Sequence, residues 1–530
     1  MTNKPTPKKY KRVVSSRFLW FVSVLAGITF LVTFGLTPVF PLKWTLIVAC
    51  ALIVVFILTF FLSLKTKPRN IFTKTVNIIL IIVLLIGTIL IPYEVDKVSG
   101  LLNQVTDEKT VINVYRMTDS YAKTNGFTKV FEYTSASDDG KVSDLSTLKE
   151  ATFITSMNQD ADNSTYALSE LKNAFNSNVS SIDRDSFIDA AASLYNHDGD
   201  FLIMPASYQT TLEDSTTYKN FANDTEIVYS FTRTTEAKKT VQGDTTLTKA
   251  PFTIFFGGND QTGALSLKGR TDVCMIVTVN PSTHQVAIVN MPRDSYIPNP
   301  YYGSGDSSYD KLTHLGLVGI DNTLNGLGNY LDEPINNYLI LNFDTFQHII
   351  DALDGVWINN PYEFTALDGE TFPEGDINLS SEMALMYVRE REGLPDGDFG
   401  RNMHQQIVMS AIIDKITSPE GILKFNSILD SIKGEFLTNV SSEALYGLVN
   451  KQLNESISWN IVKYHVEGLT GDEICASAPG EKLSVVYPYT NQVTFVKNVI
   501  NQIDDGQIVK QEELPTGSYS TETSSTTTKK

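Results

Sequence analysis

The sequence predicts an α/β protein: an α/β/α sheet domain preceded by a small α/β accessory domain and a three-helix membrane anchor. Three observations lead there. Long apolar runs fill most of residues 18–91. Residues 98–245 alternate short strand-like runs with helix-like ones. From Pro251 onward, strand patterns recur with interspersed helical ones, as in a sheet covered on both faces by helices. The boundaries drawn are 1–97, 98–245, 246–513 and a tail, 514–530.

The anchor comes first. Phe18–Leu36 and Leu46–Leu64 are uncharged and apolar, and about 20 such residues cross the hydrocarbon core. Val76–Ile91 is shorter, carries no charge and ends at Pro92. Residues 1–92 hold eleven Lys or Arg and no Asp or Glu. Six of these basic residues precede the first run and four fill the second connection, while the first connection has only Lys43. The positive-inside rule therefore predicts a multi-pass membrane protein with a cytoplasmic N-terminus. Three spans put everything after Pro92 outside. No small-residue cleavage site precedes the second run, which argues against a removed signal peptide.

The rest of the chain carries 31 basic and 60 acidic residues, against a whole-chain net of −18. An acidic outer part and a short N-terminus exclude a DNA-binding regulator. The cysteines are Cys50, Cys274 and Cys475. None form a C-x-x-C, so a metal knuckle is excluded. Cys274 lies in a strand pattern, and a Cys274–Cys475 disulfide stays open.

Residues 98–245 show no phosphate loop, Cys/His cluster or nucleophile signature and read as a spacer or interaction module. Thr234–Ala250 is polar and reads as a linker. "PFTIFFGGND" starts the next strand. "DVCMIVTVNPSTHQVAIVNMPRD" reads as two strands around the turn Asn280–Thr283. "INNYLILNFDTFQHIIDALDGVWIN" reads as strand, helix and strand. Ser380 or Ser381 would cap the next helix. Ile407, Ala411 and Ile412 mark the one after it, and "TNQVTFVKNVINQI" is a last helix. The Ser/Thr-rich tail is expected to be disordered.

The arginines carry the chemistry. From residue 246 onward there are thirteen lysines but only five arginines: Arg270, Arg293, Arg389, Arg391 and Arg401. Arginine donates a planar pair of charge-assisted hydrogen bonds suited to phosphate. Structural ion pairs are the alternative, since Glu390 and Glu392 stand beside Arg391. Asp260 ends a strand, and Asp272 follows Arg270 by two. Two carboxylates beside arginines suit a Mg²⁺-bound pyrophosphate. Arg401 and Gln405 share a helix face near its N-terminus, where anions are favoured. Arg389 and Arg391 would diverge by about 200° in a helix. The helix is therefore expected to end near Arg389.

"FFGGND…GRTDVCMIVTVNPSTHQVAIVNMPRDSYI" with "YVREREGLPDGDFGRNMHQQ" closely resembles the LytR–CpsA–Psr domain of Gram-positive cell envelopes, over roughly residues 250–510. The anchor and extra domain are similar to its capsule-locus, streptococcal CpsA branch. The resemblance implies a transferase that attaches a polyprenyl-pyrophosphate-linked glycopolymer to peptidoglycan. Capsular polysaccharide is the first donor it suggests and teichoic acid the second. It implies Mg²⁺ on Asp260 and Asp272, and pyrophosphate on Arg270, Arg293, Arg389 and Arg391. Arg401 and Gln405 would complete the head-group site, and Asp294 would support Arg293. His404 departs from the family's frequent arginine. Implied partners are the lipid-linked polysaccharide, peptidoglycan, the membrane and other membrane proteins of capsule assembly, with no nucleic acid. Asp260 or Asp272 could serve as general base. The lipid groove has candidates in Phe343, Phe346, Ile349, Ile350, Leu385 and Met409, which serve equally well as core. The alternative function is a non-catalytic module that holds lipid-linked polymer for a partner enzyme.

Overall fold

The computed structural model describes residues 14–64, 71–102, 108–127, 131–133, 141–235, 243–244, 247–259, 265–395, 397–432 and 435–519. The chain forms two compact units. One comprises Met1–Asn103, Thr245–Thr248 and Ser441–Ser458, and the other takes the remainder.

In the first unit, α1 (Ser16–Leu36), α2 (Leu42–Leu64) and α3 (Ile71–Leu102) are each long and apolar enough to cross a membrane. Their apolar side chains remain exposed within the protein, as they must where lipid is the solvent. Small residues let the helices close up: a Cβ on Gly27 would meet the Phe56 ring. Ser23 Oγ bonds Asn77 Oδ1 at 3.2 Å between α1 and α3. The third run was expected to stop at Pro92, but α3 continues through it to Leu102. Proline removes one backbone donor and strains one turn, and the rest of this 32-residue helix continues around it. A later helix, Ser442–Glu455, also belongs to this unit: Tyr446 Oη bonds Val95 O at 3.1 Å.

Among the described residues, the second unit holds two main sheets and four two-stranded ones. The first contains β1 (Glu108–Met117), β2 (Thr152–Thr155), β3 (Ser180–Asp183), β4 (Phe201–Pro205) and β5 (Thr225–Thr235), in the order β3-β2-β4-β1-β5. Its strands alternate faces. Ile112, Val114 and Phe153 pack with Leu171 and Phe175 of the helix Met157–Phe175. On the other face, Tyr115, Ile154 and Leu202 pack with the helix Phe187–Tyr195. That second core also takes in Leu317, Cys475, Leu483 and Val485 from the following domain. The accessory domain therefore shares a core with its neighbour, more than a spacer requires.

The second sheet is built from β6 (Phe252–Asn259), β7 (Val273–Asn280) and β8 (Gln285–Asn290). After a short pair, β9 (Tyr296–Pro298) and β10 (Tyr309–Lys311), comes β11 (Asn337–Asn342). The edge strands are Phe436–Thr438 and Asn460–His465, the latter parallel to β8. β6 and β11 are parallel, and β7 runs antiparallel to both β6 and β8. Cys274, Ile276 and Val289 face the helices Ile320–Leu331 and Thr490–Asp504. Met275, Val286 and Ile288 face Met409 and Ile413 of the helix Asp398–Thr417. The sheet is thus covered on both faces. Cys274 and Cys475 are buried free thiols.

The tail departs from expectation at its start. Ser518 N donates to Asn491 Oδ1 at 2.8 Å, and Gln492 Nε2 donates to Pro515 O at 3.1 Å. Side chains at the start of the last helix thus hold the backbone of the tail as far as Ser518, and residues 520–530 lie outside the described residues.

Candidate active site

The site forms where β6, β8 and β11 end and β7 begins, the edge at which α/β sheets usually bind ligands. Asp272 N donates to Gly258 O at 2.8 Å, which ties the start of β7 to the end of β6. Arg293 lies three residues beyond β8, and its carbonyl accepts from Thr313 N at 2.8 Å. Arg293 Nη1 bonds Asp272 Oδ1 at 2.5 Å. Its Nε lies 3.6 Å from Asp294 Oδ2, in keeping with the expected support.

From there an alternating chain of charges runs inward. Asp294 Oδ1 meets Lys311 Nζ at 3.2 Å, and Lys311 Nζ meets Asp214 Oδ2 at 3.1 Å. Asp214 Oδ2 also meets Arg270 Nη1 at 2.9 Å. Burial would raise the Asp214 carboxyl, but His314, Arg270 and Lys311 outweigh it and hold the group well below the usual range. Arg270 is therefore engaged by a carboxylate of the accessory domain. That bond uses Nη1 only, so the pair and a phosphate contact through the other guanidinium donors are compatible.

Behind the chain, His314 Nδ1 lies 2.9 Å from both Asp310 Oδ1 and Ser477 Oγ. The grouping resembles a hydrolase triad, but all three side chains are buried and no substrate reaches them. Cys475 also lies in this cluster. Burial and then Asp310 push its thiol far above the usual range, and Asp310 accepts from Ser477, Lys311 N and Asn299. This is a hydrogen-bonded core.

The helix α12 (Ser381–Arg389) ends in the first residue of the pair Arg389 and Arg391. Ser380 Oγ caps it by accepting from Met383 N, and it ends at Arg389 as the divergence argument required. The next residue explains the turn. Glu390 Oε1 accepts from Arg391 N at 2.9 Å and Gly393 N at 2.8 Å, and Oε2 accepts from Leu367 N at 2.9 Å. Burial alone would raise this carboxyl, but the amides hold it below its usual value. Glu390 thus grips backbone, while Arg389 and Arg391 project on either side, both exposed. The Arg389 guanidinium lies 4.7 Å from the centre of the Phe343 ring.

Arg401 lies in the first turn of the helix Asp398–Thr417. One turn on, Gln405 accepts from Asn290 Nδ2 at 3.3 Å and donates to Val388 O at 3.4 Å. It braces the end of β8 against α12. His404 is stacked on Tyr387, with centroids 4.0 Å apart. Burial, against opposing pulls from Tyr387 O and Glu390, lowers it to about 4, so it is neutral at pH 7. Asp260 lies outside the described residues.

Beside the arginines opens an apolar pocket of about 50 Å³, lined by Val273, Met275, Phe343, Phe346 and Met409. Three groove candidates line it, whereas Ile349 and Ile350 are core. Sequence reasoning missed Lys311, Asp214 and the backbone grip of Glu390.

The profile of the LytR_cpsA_psr family matches residues 216–484, half of the chain. The chain belongs to this family. Among its relatives is the polyisoprenyl-teichoic acid–peptidoglycan teichoic acid transferase TagU of Bacillus mycoides (strain KBAB4). It is 35% identical over 205 residues, 38% of this chain and 65% of the relative. The TagU of Bacillus licheniformis is 28% identical over 256 residues, 48% of this chain and 78% of the relative. The match thus spans just under two thirds of the first relative. Among solved structures, B. subtilis TagV aligns with a TM-score of 0.40 and 25% identity, covering 49% of this chain and 99% of that one.

Proposed function

We propose that this protein is a membrane-anchored, Mg²⁺-dependent transferase. It would move a polyprenyl-pyrophosphate-linked glycopolymer, capsular polysaccharide or teichoic acid, onto peptidoglycan on the outer face of the membrane. The observation that carries the reading is one sheet edge that sets Arg293 and Asp272 beside an apolar pocket with Arg389 at its rim. An amphiphile with a charged phosphate centre suits that combination. The names of the related TagU proteins support the same class of reaction.

Arg293, Arg389 and Arg391 would bind the pyrophosphate, with Arg401 and Gln405 completing the head-group site. Arg270 would join them at the pyrophosphate, its Nη1 held by Asp214. The acceptor sugar hydroxyl attacks the phosphorus that bears the polymer, the bond to polyprenyl phosphate breaks, and the arginines stabilise the charge on the leaving group. Asp272 and Asp260 would hold the metal. Asp272, a hard oxygen donor at the strand edge, fits an ion that takes one or two protein carboxylates plus phosphate oxygens. Mg²⁺ there would neutralise phosphate charge. The proton acceptor is unassigned, and other membrane proteins of capsule assembly remain proposed partners.

Asp260→Ala with Asp272→Ala should abolish Mg²⁺-dependent turnover in chelator-washed full-length protein while the circular dichroism spectrum stays the same. Normal activity in that double variant would remove these residues from the metal site.

A further inference from the structure

A polar cleft of about 610 Å³ lies between the accessory sheet and the second domain. This is the size of a ligand site. The accessory side supplies Asp162, Arg233 and Thr235, and the other side Lys268, Tyr301 and Asn322. Its charges balance: Arg233 and Lys268 face Asp162 and Asp321. Arg233 is further engaged, donating to Asn163 Oδ1 at 3.0 Å and lying 3.6 Å from Asp162 Oδ2. The cleft therefore offers no concentrated positive field for a polyanion. It offers what a hydroxyl-rich chain needs. Asn322 Nδ2 bonds Asn299 Oδ1 at 2.9 Å and Leu315 O at 3.0 Å, which fixes the amide and presents its Oδ1 as an acceptor. Tyr301 on the rim is 56% exposed and presents an aromatic face on which the apolar side of a sugar ring can stack.

The cleft's position gives it meaning. One short segment links it to everything already described. Leu267 and Lys268 line the cleft. Arg270 and Asp272 follow, in the chain of charges. Val273 and Met275 then line the apolar pocket. Polar cleft, charged centre and apolar pocket thus succeed one another along nine residues. From Lys268 to Val273 the backbone reaches at most about 17 Å. A lipid-linked saccharide has the same order: sugar chain, pyrophosphate, hydrocarbon.

We infer that the cleft between the two domains binds the saccharide of the lipid-linked donor, several sugars out from the pyrophosphate, and that the accessory domain exists to form its second wall. The inference rests on the transferase reading and adds the site for the polymer. It assigns the recognition of chain length and sugar identity to residues 108–235 as much as to the second domain. Tyr301 provides the stacking platform, Asn322 and Asp321 the hydroxyl acceptors, and Thr235 the opposite wall.

The test uses the full chain in detergent micelles and two synthetic donors, a polyprenyl pyrophosphate bearing one N-acetylhexosamine and the same lipid bearing four. Wild type should show a KM for the four-sugar donor at least about fivefold below that for the one-sugar donor, as one stacked ring is worth about 1 kcal/mol or more. In Tyr301→Ala, which alters an exposed rim residue, the two KM values should converge to within about twofold. Thr235→Trp, which fills the cleft from the accessory side, should do the same. Equal KM values in wild type, or a preference for the longer donor that survives both variants, overturns the saccharide cleft and leaves the transferase reading standing. Failure of wild type to transfer either donor overturns both.

Discussion

At the scale of single residues, the arginines were legible because arginine is scarce in the outer part and its few members cluster. The end of α12 at Arg389 followed from the angular separation of residues two apart. What stayed hidden were tertiary partners. Arg270 and Asp214 are 56 residues apart and lie in different domains, and no local pattern announces such a pair. Lys311 looks like any lysine until its burial is seen. These partners add an ion pair across the domains to the proposed pyrophosphate contact of Arg270. Asp214→Asn leaves two buried cations without their shared carboxylate, and breaking a buried pair typically costs about 3–5 kcal/mol. The melting temperature should fall clearly, and donor affinity should not rise. Tighter donor binding in that variant would mean that Asp214 competes with the pyrophosphate for Arg270.

At the scale of elements, alternation and apolar periodicity located the strands and helices, and Ser380 capped α12 as its sequence suggested. The misses have local causes. α3 runs past Pro92, because proline in a long helix forfeits one turn rather than the whole. The start of the tail is held by Asn491 and Gln492, whose side chains reach backbone that composition alone marks as unstructured. The junction of β6 with the two helices that cover it holds a pair of carboxyls, Glu333 buried and Asp504 partly so. Glu333 accepts from Thr253 at 2.7 Å. Burial first, and then Asp504, raise it from 4.5 to about 7. A carboxyl raised on folding stabilises when protonated. Its contribution is complete below the unfolded value of 4.5 and is lost as the pH climbs through about 7. Glu333→Gln should therefore melt higher than wild type near pH 8, with the advantage gone near pH 4.5. An advantage of the same size at both values would mean that Glu333 does not titrate in this window.

At the scale of the whole molecule, the apolar runs made three membrane-length helices legible, and the charge asymmetry of the first 92 residues gives the proposed orientation. The shared core that joins the accessory domain to the domain after it was not legible, since Leu317, Cys475, Leu483 and Val485 carry no mark of which surface they meet. The proposed orientation places all of the second unit outside. In a background without the native cysteines, a cysteine at Ser146 should react with an impermeant maleimide in wall-stripped cells, and one at Thr66 should not. Labelling at Thr66 would reverse the topology. The lipid of the proposed donor would enter beside Phe346 and Met409, which line the apolar pocket. The central claim is that this edge binds a pyrophosphate through arginine and transfers what it carries. It is tested most directly by polyprenyl phosphate release, coupled to labelling of peptidoglycan, with purified wild type and Arg391→Lys, each with its melting temperature. Lysine keeps the charge and loses the planar pair of donors. A lost charge-assisted hydrogen bond costs about 1.5–3 kcal/mol, so release should fall by about tenfold to a hundredfold at an unchanged melting temperature. No release by wild type, or full activity in Arg391→Lys, would contradict the account.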